Sequence, residues 1–243
     1  MAAEFLIVVP ARGGSKRVPG KNLKNLAGLP LLAHTAKAIE AANLRAPVLL
    51  STDDEMIAAE GVRHGWDVPF LRPDDLAGDD AATVDVILHA LDWYGRTHGA
   101  EPPAVMVLQA TSPFRGGACI REAVQLLESR ADIDSVIAMT ESHISPAQHF
   151  LAGEDGTGIP VADDWRCPVY RPNGALYLTR TVALRQARSL YAGKIAPLVI
   201  NGIRAIDIDT ESDFKLAGAA LDGGLPPEPA TFSPKTSMVT PST

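Results

Sequence analysis

Asp207 and Asp209 stand one residue apart in Ile206-Asp207-Ile208-Asp209-Thr210. In extended backbone, alternate side chains share a face and their Cα atoms lie about 7 Å apart. Two carboxylates so placed repel unless a cation lies between them. Magnesium suits the pair, because it takes oxygen ligands and is often held by one or two carboxylates plus substrate phosphates. A polar strand face, or a cap on the helix after Thr210, is the plainer use of the same acids. The second concentration of chemistry is Pro10-Ala11-Arg12-Gly13-Gly14-Ser15-Lys16-Arg17-Val18-Pro19-Gly20-Lys21-Asn22. Its glycines let backbone N–H groups turn toward an anion. Arg12, Lys16, Arg17 and Lys21 bring enough positive charge to surround a triphosphate. Two familiar phosphate loops are excluded. A Walker A loop needs four residues between its glycine and Gly-Lys, then Ser or Thr; here five separate Gly14 from Gly20, and Asn22 follows Lys21. The G-x-G-x-x-G dinucleotide fingerprint is also missing, which argues against an oxidoreductase.

These residues need a frame. Phe5–Val9 is a continuous apolar run, the mark of a strand buried on both faces. Further strands are expected at Pro47–Leu50, Val68–Leu71, Val105–Gln109, Ser135–Met139, Ala175–Leu178, Leu198–Ile200 and Ala205–Asp209. Helical spacing is found at Leu31–Ala42, Glu55–His64, Val84–Arg96, Ala118–Ser129 and Ser212–Leu221. Strands alternating with helices predict an α/β fold, doubly wound around a mainly parallel sheet. Ligands in such folds lie at the carboxyl ends of the strands, where the basic loop and Gln109 both fall. Residues 1–221 read as one domain, with 222–243 as a Gly- and Pro-rich disordered tail. Thr140–Pro172 lacks periodicity and reads as an excursion from the sheet, either a lid or an arm toward a second copy, or a plain surface loop.

Composition removes several classes. A formal charge of −7 argues against broad nucleic-acid binding. No stretch approaches the roughly 20 apolar residues of a spanning helix, and Met1–Gly14 is too acidic and too briefly apolar for a signal peptide. Cys119 and Cys167 form neither a disulfide framework nor a metal-ligand spacing, which fits a cytoplasmic protein. His143 and His149 have no companion cysteines, so a zinc site is rejected.

Five ordered segments carry a family resemblance: Ala11–Asn22; Leu71-Arg72-Pro73 with Leu76-Ala77-Gly78-Asp79; Leu108–Arg115; Arg171–Tyr177; and Ile206–Glu211. Together they resemble the acylneuraminate cytidylyltransferases, also called CMP-sialic acid synthetases. The resemblance implies a nucleotidyltransferase fold and transfer of CMP from CTP to an acidic nine-carbon sugar. It implies nucleotide contacts at Ala11, Arg12, Lys16, Lys21, Asn22, Arg72 and Thr83. It implies catalytic roles for Lys21, Gln109 and Asp209, and magnesium at Asp207 and Asp209. Sugar contacts are implied for Gln109, Arg166, Arg171, Tyr177 and Tyr191. Relatives are dimers, so a homodimer is expected, its arm formed by the excursion. Ala110 replaces a proline common in the family, and Gln148 stands where many relatives have lysine. These departures leave the exact sugar open: an N-acylneuraminate or similar nonulosonate is the first reading, with legionaminate, pseudaminate and 3-deoxy-octulosonate as alternatives, and Arg171-Pro172-Asn173-Gly174 favours the sialate or legionaminate type over the other two. A non-catalytic nucleotide-binding regulator is the reading from another class; it would be expected to lose the two acids.

Overall fold

The computed structural model describes residues 5–152, 154, 157–161, 168–226 and 228. Strand β1 (Phe5–Pro10) opens the chain and leads through the basic loop to a short hairpin, β2 (Asn25–Leu26) and β3 (Leu29–Pro30). Then come α1 (Leu31–Ala42), β4 (Val48–Ser51), α2 (Glu55–Arg63), the single turn α3 (Asp74–Ala77), α4 (Thr83–His98), β5 (Ala104–Val107) and α5 (Gly117–Ser129). The second half holds β6 (Ser135–Ser142), the hairpin β7 (Phe150–Ala152) and β8 (Gly158–Pro160), β9 (Val169–Arg180), α6 (Thr181–Ala187), β10 (Ile195–Val199) and α7 (Glu211–Asp222).

The main sheet runs β10-β6-β9-β5-β1-β4. β9 is antiparallel to both its neighbours, and the other pairings are parallel. β1 explains the doubly wound form. Leu6, Ile7, Val8 and Val9 are at most 1% exposed, so both faces of the strand are covered. Ile7 and Val9 join Leu32, Leu50, Met106 and Ile120 on one side; Leu6 and Val8 join Leu49, Ile87, Leu91 and Val107 on the other. Burial of such a side chain stabilises the fold by about 1.5–3 kcal/mol, an upper value because the unfolded chain is itself partly compact. α1 and α5 pack closely on the first face. A Cβ at Gly117 would lie 2.5 Å from the Ala41 carbonyl carbon, so only glycine permits this approach.

A third apolar cluster lies off the sheet's carboxyl end: Val18, Leu26, Leu31, Phe114, Ile208, Phe214 and Ala217. It ties the basic loop, the β2–β3 hairpin and α7 into one support. The segment 205–209 therefore departs from the expected strand. Gly202–Ala205 forms a 3-10 turn, and Ile208 donates its N–H to the Thr111 carbonyl at 2.8 Å outside any named strand. Ile208 fills this third cluster rather than taking a place in a ladder. The expected strand Val68–Leu71 is reduced to single bridges, Leu49 with Asp67 just before it and Thr52 with its last residue, Leu71.

The described part of the excursion holds regular structure that its composition does not suggest. β6 and β9 stay paired out to Ser142 and Val169, and β7–β8 forms a hairpin between them. The tail also differs from expectation over its described part. Leu225 packs on the third cluster, Pro226 accepts from Arg204, and Glu228 accepts the Ala118 N–H at 3.1 Å. Residues 227 and 229–243 lie outside the described residues. No helix among the described residues is long and apolar enough to cross a membrane.

Candidate active site

The basic loop leaves β1 at the sheet's carboxyl end and is pinned at both ends. Ala11 is buried, with its N–H on the Ser51 carbonyl at 3.0 Å. Gly13 N–H donates to Asp53 Oδ1 at 2.9 Å, and the Asn22 side-chain amide donates to the Arg12 carbonyl at 2.8 Å. The loop overhangs a cavity of about 420 Å³. Ala11, Arg12, Lys21, Asn22, Arg72 and Thr83 all line it. Arg72 braces the wall: its guanidinium donates to the Ser51 hydroxyl at 3.1 Å and to the Ser51 carbonyl at 2.5 Å. Burial lowers its pKa, opposed mainly by Asp53. Thr83 is the first residue of α4, whose cap position is Ala82, so the threonine is not spent on capping. Lys16 stands at the rim. There Asp79 accepts from Arg12 at 2.7 Å and from Lys16 through its other oxygen. These bonds, the Lys16 one foremost, hold the Asp79 carboxyl below the usual carboxylate range. An acid of the chain thus lies between two cations expected for the triphosphate.

A second cavity, about 590 Å³, opens on the other side of Gln109, Asp207 and Asp209, and those residues line both. Both volumes fall in the range of ordinary ligand sites, about 300–1,000 Å³. The partition is made by a bulge in β9. Ile137 faces Tyr177 across the ladder, yet Met139 faces Pro172, so Asn173–Leu176 stand opposite Ala138. Gly174 takes φ +79°, and a Cβ there would lie 2.7 Å from Gln109 Oε1, 3.0 Å from Asp207 Oδ2 and 3.2 Å from Ser112 Oγ. Only glycine accepts both this backbone and this crowding. Asn173 locks the bulge: its amide donates to Thr140 Oγ1 at 3.1 Å, and its Oδ1 accepts the Ala175 N–H at 3.2 Å.

The two acids differ in setting. Burial, and after it the like charge of Asp209, raises the Asp207 pKa; hydrogen bonding from Thr111 and Ser112 opposes the rise. Ser112 Oγ lies 3.4 Å from both Asp207 Oδ1 and the Asn173 carbonyl, so its one proton serves one of them at a time. Asp209 is more open and pairs with Lys21 at 3.5 Å and Arg17 at 3.6 Å. Lys21 is only 12% exposed and also donates to the Ile208 carbonyl at 2.7 Å, which ties the basic loop to the acidic one. Among the described residues no group of three or more acids, histidines and cysteines is placed to hold a metal ion. A cation at Asp207 and Asp209 would complete its shell with water and substrate oxygen.

A cytidylyltransferase family model matches residues 6–145, more than half of the chain. The chain belongs to the cytidylyltransferase family. It is 35% identical over 230 residues to CMP-N,N'-diacetyllegionaminic acid synthase of Legionella pneumophila, covering 90% of this chain and 96% of that one. It is 30% identical over 224 residues to N-acylneuraminate cytidylyltransferase of Escherichia coli, covering 89% of this chain but 52% of that one. The solved structure of a CMP:2-keto-3-deoxy-manno-octonic acid synthetase complexed with CTP is similar in fold, with TM-score 0.65 and 18% identity over 91% of this chain and 99% of that one.

In this cytidylyltransferase the structure gathers most of the residues singled out from sequence. Arg171, Tyr177 and Tyr191 line the second cavity with Gln109. The tyrosine rings meet edge to face at 6.0 Å. Burial, and after it Tyr191, raises the Tyr177 pKa, which favours the protonated hydroxyl. Arg166 lies outside the described residues. Sequence reasoning missed Asp79, Ser112, Asn173, Gly174 and Arg115 as site residues, although each falls inside a segment that carried the resemblance. Their roles arise from bonds between segments far apart in the chain, which no local spacing encodes.

Proposed function

We propose that this chain is a CTP-dependent nucleotidyltransferase that transfers CMP to the anomeric hydroxyl of an acidic nine-carbon sugar and releases pyrophosphate. The observation that carries the reading is the meeting of two cavities at Gln109, Asp207 and Asp209. A nucleotide in the first and a sugar in the second would present α-phosphorus and hydroxyl to each other at that junction. Arg12, Lys16 and Lys21 bind and orient the phosphates, Lys21 by releasing its reach toward Asp209. Gln109 offers a neutral amide that orients both reactants without adding charge. Arg171 presents a planar guanidinium suited to the sugar carboxylate. Catalysis is then mainly positioning and charge stabilisation. Asp207 and Asp209 would hold a magnesium ion, which would supply neutralisation of charge on the α-phosphate and the leaving group.

Among acidic sugars, the legionaminate reading is favoured by the relative matched over 96% of its own length. A homodimer is supported by the β7–β8 hairpin, where Phe150, Leu151, Ile159 and Val161 are each more than half exposed. A cytoplasmic location fits a supply of CTP and a chain in which the described cysteine is a free, buried thiol. The test is pyrophosphate release from CTP, ATP, GTP and UTP, each with sialate, N,N'-diacetyllegionaminate, pseudaminate and 3-deoxy-octulosonate. Turnover with CTP and a nine-carbon acid is expected. Equal turnover with ATP, or none with any of the acids, overturns the proposal.

A further inference from the structure

Arg115 is 1% exposed, the largest fully buried side chain among the described residues. Its guanidinium has no ion-pair partner among the described residues. It binds neutral oxygens instead. Nη1 donates to the Gln109 carbonyl at 2.9 Å and the Ala175 carbonyl at 3.0 Å. Nη2 donates to Thr35 Oγ1 at 2.9 Å and again to the Gln109 carbonyl. Its Nε has no partner among the described residues. The oxygens come from three places in the chain: α1, the end of β5 and the bulge of β9. Two of them belong to the residues that flank the junction of the cavities, Gln109 and the residue after Gly174.

A buried cation without a carboxylate is costly, and a fold that needed only packing would be served by an apolar side chain. Burial lowers the Arg115 pKa to about 10, opposed by Cys119 and then by Asp207, which still leaves it charged near neutrality. Burial pushes the Cys119 thiol itself up to about 12, so near neutrality it stays protonated and carries no charge to offset the guanidinium. The planar fork explains why arginine is used. One guanidinium can hold the carbonyls before and after the crowded point where Gln109 Oε1, Asp207 Oδ2 and Gly174 converge; an ammonium on a single stem cannot hold this geometry.

We propose that Arg115 is a positioning residue for group transfer: from beneath the junction it sets the Gln109 and Gly174–Ala175 backbones, and through them the placement of the reacting groups. This rests on the proposed transfer reaction. The basic loop and Arg72 line the nucleotide cavity without a bond to Arg115, which reaches that cavity only through the Gln109 backbone, so CTP affinity should depend on Arg115 far less than kcat does.

The test uses the full chain with Arg115→Lys and Thr35→Val. CTP affinity is measured by calorimetry, melting temperature by circular dichroism, and kcat and KM by pyrophosphate release. Arg115→Lys is expected to lower kcat by about 10²-fold, the cost of misplacing reacting groups by about 1 Å, with CTP affinity unchanged. Thr35→Val, which removes one anchor and keeps the guanidinium, is expected to give a smaller fall of the same kind. Unchanged kcat in Arg115→Lys overturns the proposal. So does a parallel loss of CTP affinity and melting temperature that accounts for the loss of activity, since that marks a purely structural role. If Arg115→Lys does not fold, Thr35→Val decides: reduced kcat at unchanged CTP affinity supports the proposal, and full kcat overturns it. Absence of turnover in the unaltered chain would instead count against the reaction itself.

Discussion

Asp207 is an acid whose setting works against its own ionisation. Burial is the main cause of its raised pKa, and Asp209 adds to it. The folded chain therefore binds this proton more tightly than the unfolded chain. The stability so gained is complete below the unfolded value of 3.8 and is lost as pH rises through the raised folded value. Near neutrality, without divalent cations, the ionised carboxylate is a net cost. Asp207→Asn should melt at a higher temperature than the parent chain at pH 7, with the gain shrinking as pH falls toward 3.8. The same variant should lose about 10²-fold or more in kcat with magnesium present, the scale of a lost transition-state charge contact. A lower melting temperature at pH 7, or full activity, would contradict this account. Asp79 gives a second residue-scale expectation. Its carboxylate pairs with Arg12 and Lys16 and, on the proposed function, competes with the CTP phosphates for them. Asp79→Asn weakens that competitor, so the Kd for CTP measured by calorimetry should fall, and an increase would mean that Asp79 helps to build the site.

At the scale of elements, the support for the site includes a piece of chain that composition alone marks as a tail. Thr210 caps α7 through a reciprocal pair of bonds with Asp213, a device worth about 0.5–2 kcal/mol at such a position. Beyond the helix, Leu225 and Glu228 return to the third apolar cluster and to the start of α5. Glu228 fits there because Gly116 has no side chain: a Cβ would lie 1.0 Å from Glu228 Oε1. Arg204 joins this docked segment to the Phe114 carbonyl at 3.0 Å, just after the hydroxyls that hold Asp207. A chain ending at Asp222 should therefore melt at a lower temperature than one ending at Glu228. Equal melting temperatures by scanning calorimetry would show that the docking contributes nothing.

At the scale of the molecule, the main sheet ends its ordered contacts well beyond the core. β6 and β9 run on together and raise the β7–β8 hairpin, which presents apolar side chains with no cover among the described residues. A second copy is the cover proposed. Light scattering at micromolar concentration should give twice the chain mass of 25.7 kDa, and Phe150→Glu with Leu151→Lys should shift the species to the single-chain mass. A single-chain mass for the unaltered protein would leave the hairpin needing another explanation.

Much of this was legible in the residues themselves. Phe5–Val9 could only be a strand covered on both faces, because both of its alternating sets are apolar. Leu31–Ala42 has the observed bounds of α1, since apolar spacing and the flanking Pro30 and Asn43 all mark the same ends. The basic loop and the acids at 207 and 209 stood out through charge and glycine content, which are properties of composition, and the fold brings them to one cavity. Tertiary structure decided the rest. The segment 205–209 is extended in pattern, yet the sheet offers it no ladder, and its Ile208 is claimed by the third cluster. Thr181–Ala187 did not stand out as a helix, because so short a helix carries little periodic signal and draws its stability from packing Leu184 into the core. Arg115 reads in sequence as one more charged residue in a turn. Gln109 is six residues away, but the Thr35 hydroxyl and the Ala175 carbonyl, 80 and 60 residues away, reach it only because the fold brings α1 and β9 to the end of β5.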